Sequence, residues 1–227
     1  MKQLFVFDVD GTLYDLNDVV LKNYEIQVDF IRAKTGWARE KVCSYFSANN
    51  VFPKRCATSR SATELFLRDG YSREEWNAYR EQRFPVECID ATRAVDCSVM
   101  TDFAQKGVCV LLSSNSYVTI VRILERINIP LGLFSSVFCS DRFNGARSFN
   151  KLDVMESLLG LYSVSADNMI SIGDRFETDI RPALMLGGRG VLVKSPKSLT
   201  LVEHDFSGEG LRSCQAYEFF SGREALK

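Results

Sequence analysis

Leu4-Phe5-Val6-Phe7 sets apolar residues at consecutive positions and stops at Asp8, just before a glycine-containing turn. A run with no polar alternation suits a strand covered on both faces, as in a parallel sheet. The same grammar returns at 108–112 (VCVLL) before Ser113-Ser114-Asn115, at 169–172 (MISI) before Gly173-Asp174, and at 190–193 (GVLV) before Lys194. Residues 137–139 (VFC) read as a further short strand. Helical patterning fills 117–127, 152–159 and 180–186, and Gly187-Gly188 reads as the end of the last helix. Strand alternating with helix predicts an α/β domain built on a central parallel sheet.

The stretch 15–92 breaks this alternation. It carries helical periodicity, for instance at 19–33 and 61–67, and no buried-strand pattern. Ser72 followed by Glu75 has the spacing of a capping box. Residues 15–92 are therefore expected to form a helical insertion, with 1–14 and 93–227 making up the core. After Lys194 the chain is punctuated by Ser and Gly, and 211–225 reads as a terminal helix.

Composition narrows the field of functions. The chain has 227 residues, 46% hydrophobic and 25% charged, enough for one large domain or a core with an insertion. A net charge of −1 supplies no general field for a polyanion, and no long Lys/Arg run offers a local one, so neither nucleic acid nor a membrane surface is expected as partner. No apolar run approaches the ~20 residues that a bilayer requires. The scattered, odd count of 7 cysteines suits a reducing compartment, and a cytoplasmic location is expected. With 1 histidine, His204, histidine triads and multi-histidine zinc sites drop out, and acid-base work falls to carboxylates or lysines.

Candidate chemistry lies where the strands end. Asp8 and Asp10 follow the first strand, Ser114 and Asn115 the second, and Asp174 and Asp179 a later one, with Lys151 ahead of a helix between them. Parallel strands bring their carboxyl ends to one edge, which is where such sheets bind ligands. Crowded carboxylates repel unless a cation sits among them. Hard oxygen donors without imidazole or thiolate point to Mg²⁺. Positions i and i+2 at a strand end share one side, so Asp8 and Asp10 can address one substrate. Gly11 lets the chain turn, and the Thr12 hydroxyl is expected to bond the loop back onto itself.

Asp8-Val9-Asp10-Gly11-Thr12-Leu13-Tyr14, then Ser114-Asn115, then Lys151, then Gly173-Asp174-Arg175-Phe176-Glu177-Thr178-Asp179 resemble the four ordered motifs of the haloacid dehalogenase superfamily. The insertion resembles that superfamily's helical cap on a Rossmann-like core. The resemblance implies a Mg²⁺-dependent phosphatase acting on a small phosphorylated metabolite, with a nucleoside monophosphate as first guess. Asp8 would be the nucleophile, forming an aspartyl-phosphate. Asp10 would be the general acid and base, its backbone carbonyl also ligating the metal. Thr12, Ser114 and Asn115 would lie at the substrate, Ser114 and the backbone after it holding phosphoryl oxygens, and Lys151 would offset the charge of phosphate and nucleophile. Asp174 would ligate Mg²⁺ directly, while Asp179 would orient Lys151 or a metal-bound water.

Two departures from the superfamily pattern stand out. Lys151 is followed by Leu152 where Pro is usual, with Lys194 as the out-of-order substitute. The second motif carries two serines; Ser114 is preferred, with Ser113 as a last strand residue. In the insertion, Asn49, Asn50, Lys54, Arg55 and Arg60 cluster around Pro53, and Arg55 and Arg60 are candidates for contacting the substrate beyond its phosphate. Asp10 speaks against dehalogenation, which needs no acid for an alkoxide. A sugar phosphomutase of the same fold and a catalytically idle binding protein remain as alternatives. Oligomeric state is not legible.

Overall fold

The computed structural model describes residues 3–53, 61–141, 150–207 and 211–222. Two compact units divide the chain, one of residues 1–15 with 90–227 and one of residues 16–89.

The first unit is a six-stranded sheet. Its strands are β1 (Gln3–Phe7), β2 (Gly107–Ser113), β3 (Ser136–Cys139), β4 (Met169–Gly173), β5 (Arg189–Val193) and β6 (Tyr217–Ser221). They lie in the order β3-β2-β1-β4-β5-β6, parallel except for β6 against β5. From β1 the chain steps outward to β2 and β3, then returns to β1's other side for β4 and β5. The order reverses beside β1, so the residues just past Phe7 occupy the crevice that such a reversal opens.

The apolar run of β1 divides between the faces of the sheet. Leu4 and Val6 pack with Val108, Val110 and Leu112 of β2 and with Val154, Met155 and Leu158. Those last three lie on a helix at Lys151–Tyr162. Phe5 and Phe7 point the other way, each edge-on to Phe103 at 5.1 and 5.2 Å between ring centroids. Phe103 belongs to a helix at Cys97–Lys106. Both faces are thus buried, which explains why the run shows no alternation.

The tail departs from expectation. Residues 211–225 were expected to be helical, but Tyr217–Ser221 is β6, and a helix lies earlier, at Ser198–Ser207. Tyr217 is fully buried, and its hydroxyl donates to Asp205 Oδ2 at 2.5 Å. Pairing with the open edge of β5 satisfies β6's backbone, an option that local periodicity does not reveal.

In the second unit the α-helices are Val20–Thr35, Arg39–Ala48, Ala62–Arg68 and Arg73–Glu81. They enclose an aromatic core in which Phe30, Phe66 and Trp76 stand 5.0–5.2 Å apart between ring centroids. The capping box forms: Ser72 Oγ accepts from Glu75 N, and Glu75 Oε2 accepts from Ser72 N.

Candidate active site

Asp8 follows β1 directly, its backbone N–H donating to Ile172 O of β4 at 2.9 Å. The next turn closes through main-chain bonds from Thr12 N and Leu13 N to Val9 O. The Thr12 hydroxyl does not contribute as expected. It is buried with no hydrogen-bond partner among the described residues, because the backbone has already closed the loop.

Lys151, at the first position of its helix, reaches across the sheet edge. Its Nζ donates to Asp8 Oδ1 at 2.6 Å and to Asp179 Oδ1 at 2.8 Å. Asn150 explains how the helix starts without the usual proline. Its side chain accepts from Leu152 N at 3.0 Å, a bond that a proline at that position would lack. Lys194, the substitute considered for this role, is half-exposed and lies 3.9 Å from Glu218, away from the acids.

Asp179 is held from several sides. Besides Lys151, it accepts from Arg175 N at 2.9 Å and from the Thr178 hydroxyl at 3.0 Å. It sits on a π-helical turn, Phe176–Ile180, a local widening of the helix that recurs at functional sites. Carboxylate oxygens of Asp8, Asp174 and Asp179 all lie within 4.8 Å of one another. Two glycines make room for them. A Cβ on Gly173 would meet Asp179 Cβ at 2.3 Å, and one on Gly11, where φ is +82°, would meet Asp174 Oδ2 at 2.4 Å.

The electrostatics follow from this crowding. Burial raises the Asp8 carboxyl to about 8; Lys151 pulls it down, while Asp179, Asp174 and Asp10 push it up. Burial also works against the Lys151 charge, but Asp179 and Asp8 outweigh it and hold the ammonium above its ordinary value. A hard dication suits such a donor set, since it would offset the repulsion that burial amplifies.

Asp10 faces another set of partners. The Asn115 side-chain amide donates to both of its carboxylate oxygens at 3.0 Å, and the Tyr14 hydroxyl donates to Oδ1 at 2.6 Å. Asn115, expected to lie at the substrate, thus has its amide committed to Asp10. Tyr14 was not singled out; the only signal was a hydroxyl four positions beyond Asp10 in the same motif.

Ser113 is the last residue of β2, buried, its Oγ accepting from Asn115 N at 3.2 Å, whereas Ser114 is exposed beyond the strand end. The next helix, Tyr117–Arg126, is already capped. Ser116 accepts from Thr119 N, and the Asp141 carboxylate accepts from Tyr117 N. Arg55 and Arg60 lie outside the described residues.

Residues 150–204, which carry Lys151, Asp174 and Asp179, match the model of a family described as HAD-hydrolase-like. No curated protein matches the chain. Among solved structures, a HAD phosphatase from Thermococcus onnurineus aligns with a TM-score of 0.57 at 14% identity, over 85% of this chain and 86% of its own. CbbY from Rhodobacter sphaeroides, solved with phosphate, aligns at 0.55 and 16% identity, covering 84% and 85%. The HAD-hydrolase YfnB from Bacillus subtilis, bound to magnesium, aligns at 0.50 and 14% identity, covering 83% and 87%. At such identities the structural likeness speaks for the fold. Among the described residues no helix is long and apolar enough to cross a membrane. The fold, and the matched segment 150–204 within it, are similar to those of haloacid dehalogenase-like hydrolases.

Proposed function

We propose that the protein is a Mg²⁺-dependent phosphatase that hydrolyses a small phosphomonoester through an aspartyl-phosphate on Asp8. The observation that carries this reading is the Lys151 ammonium bonded to Asp8 and Asp179 beside the carboxylates of Asp8, Asp174 and Asp179. Phosphoryl transfer mainly requires that spread-out negative charge be positioned and offset, and this arrangement supplies both.

In the first step an Asp8 carboxylate oxygen attacks phosphorus and the ester P–O bond breaks. Asp10 donates its proton to the departing alkoxide. In the second step water attacks the phosphorus of the acyl phosphate, Asp10 takes the water's proton, and Asp8 and inorganic phosphate are released. Lys151 balances charge on Asp8 and on the incoming phosphoryl oxygens, and Asp179 fixes Lys151. Asp8, Asp174 and the Asp10 carbonyl would hold Mg²⁺, which when bound neutralises phosphoryl charge. Ser114, exposed beyond β2, would hold a phosphoryl oxygen.

The superfamily resemblance, with its Leu13-Tyr14 ending of the first motif, makes a nucleoside monophosphate the first substrate to assay. The deciding experiment incubates the protein with Mg²⁺ and a panel of phosphorylated metabolites and follows inorganic phosphate. Release of phosphate that chelator and Asp8→Asn both abolish is expected. An isomerised sugar phosphate without free phosphate would indicate a mutase instead. Full activity in excess chelator, or in Asp8→Asn, would sink the mechanism.

A further inference from the structure

The Asp10 carboxylate carries an uneven set of donors. Tyr14 and Asn115 both donate to Oδ1, whereas Oδ2 receives Asn115 alone. An ionised carboxylate offers about four lone-pair sites, two on each oxygen. The protein therefore fills Oδ1 and leaves one position on Oδ2.

Tyr14 is fully buried and lies just past the turn that begins at Asp10, residue 14 bridging back to residue 10 through the backbone. A phenol in that position needs a partner for its hydroxyl, and the nearby carboxylate provides it at 2.6 Å. That would be a sufficient account if Tyr14 were only a packing residue. It does not explain why Asn115, from the end of another strand, adds donors to the same carboxylate. Together the two side chains hold the carboxylate by both oxygens, from two segments 101 residues apart at Tyr14 and Asn115.

We propose that Tyr14 is a positioning residue which, with Asn115, orients the Asp10 carboxylate so that Oδ2 carries the proton delivered to the leaving group. This rests on the reading of Asp10 as general acid. The donors block Oδ1, so the proton resides on the oxygen whose lone pair is open, and the carboxyl cannot rotate to exchange the two. A general acid must be aimed at the departing oxygen, and an error of about 1 Å can reduce the rate by as much as 10²-fold.

The test compares kcat/KM for β-glycerol phosphate, whose alkoxide needs a proton, with that for p-nitrophenyl phosphate, whose phenolate departs without one. Both values report transfer to Asp8, so their ratio isolates acid assistance. Tyr14→Phe keeps the ring and removes the hydroxyl; we expect the ratio to fall about tenfold. Asp10→Asn lowers it further, and adding Tyr14→Phe to Asp10→Asn changes it no more. An unchanged ratio in Tyr14→Phe, with the ratio lowered by Asp10→Asn, overturns the inference and leaves the acid role standing. An unchanged ratio in Asp10→Asn removes the acid role, and the inference falls with it. Should Tyr14→Phe fail to fold, Asn115→Leu tests the same carboxylate. It removes the donors of Asn115 and should lower the ratio, and an unchanged ratio there likewise overturns the inference.

Discussion

Lys151 Nζ stands 2.6 Å from Asp8 Oδ1, although 143 residues separate the two in sequence. Both side chains are nearly buried, at 12% and 10% exposure, so neither charge has water to fall back on. Each is tolerable chiefly because of the other, with Asp179 as third member.

Lys151→Met should therefore be damaging in two ways. It leaves the Asp8 and Asp179 carboxylates without their buried cation, which is expected to destabilise the fold by about 3–5 kcal/mol. Relief of a cation at a helix N-terminus returns only about 0.3–1 kcal/mol, so the loss dominates. Turnover should fall by about 10³ or more, as the substrate then meets uncompensated acids. Urea unfolding and phosphate release measure the two effects; wild-type values for both would show that the pairing is incidental.

Asp8 sets a pH dependence that can be read without substrate. Its carboxyl rises from an ordinary value of 3.8 to about 8 in the folded protein. Between those values the folded state binds the proton more tightly than the unfolded state, so stability falls as pH rises across the window. Mg²⁺ requires the ionised form, and its stabilising effect should be larger at pH 8 than at pH 5. Asp8→Asn removes the titration. Without metal it should melt above wild type at pH 8, the difference closing toward pH 4. Thermal melts of both proteins with and without Mg²⁺ check this; parallel curves across the whole range would contradict it.

Gly173→Ala tests the close packing behind Asp179. The added methyl would meet Asp179 Cβ at 2.3 Å and Oδ2 at 2.5 Å, forcing the carboxylate from Lys151. Activity is expected to drop by about 10² as the lysine loses its alignment. Gly187→Ala is the control. Its φ of +90° makes the change strained, but the nearest atom to the new methyl is Ala166 Cβ at 4.0 Å. It should lower stability by about 1–2 kcal/mol and leave turnover alone. Equal turnover in the two variants would mean that Gly173 serves the backbone and not the site.

Much of this site was legible because its residues sit beside strong local signals. Asp8 follows a strand apolar on both faces, Asp174 and Asp179 follow another, and Lys151 heads a helix with a long apolar pattern. The first motif also exposed its turn, since Gly11 at φ +82° is the residue such a bend needs. Ser113 and Ser114 were harder to separate. Adjacent hydroxyls differ only in which one the strand buries, and that depends on where pairing with β3 ends.

Local patterning along the chain carried the alternation of buried strands and helices, the expectation of a helical insertion at 15–92, and the acids that end the strands. Packing made 217–221 a strand, since its pairing partner β5 lies more than 20 residues earlier in the chain. It also decided that the Thr12 hydroxyl leaves loop closure to the backbone, and that the Asn115 amide and Tyr14 hydroxyl converge on Asp10. Hydrogen bonds span about 3 Å, and which groups come that close depends on how the packed sheet sets its strand ends side by side.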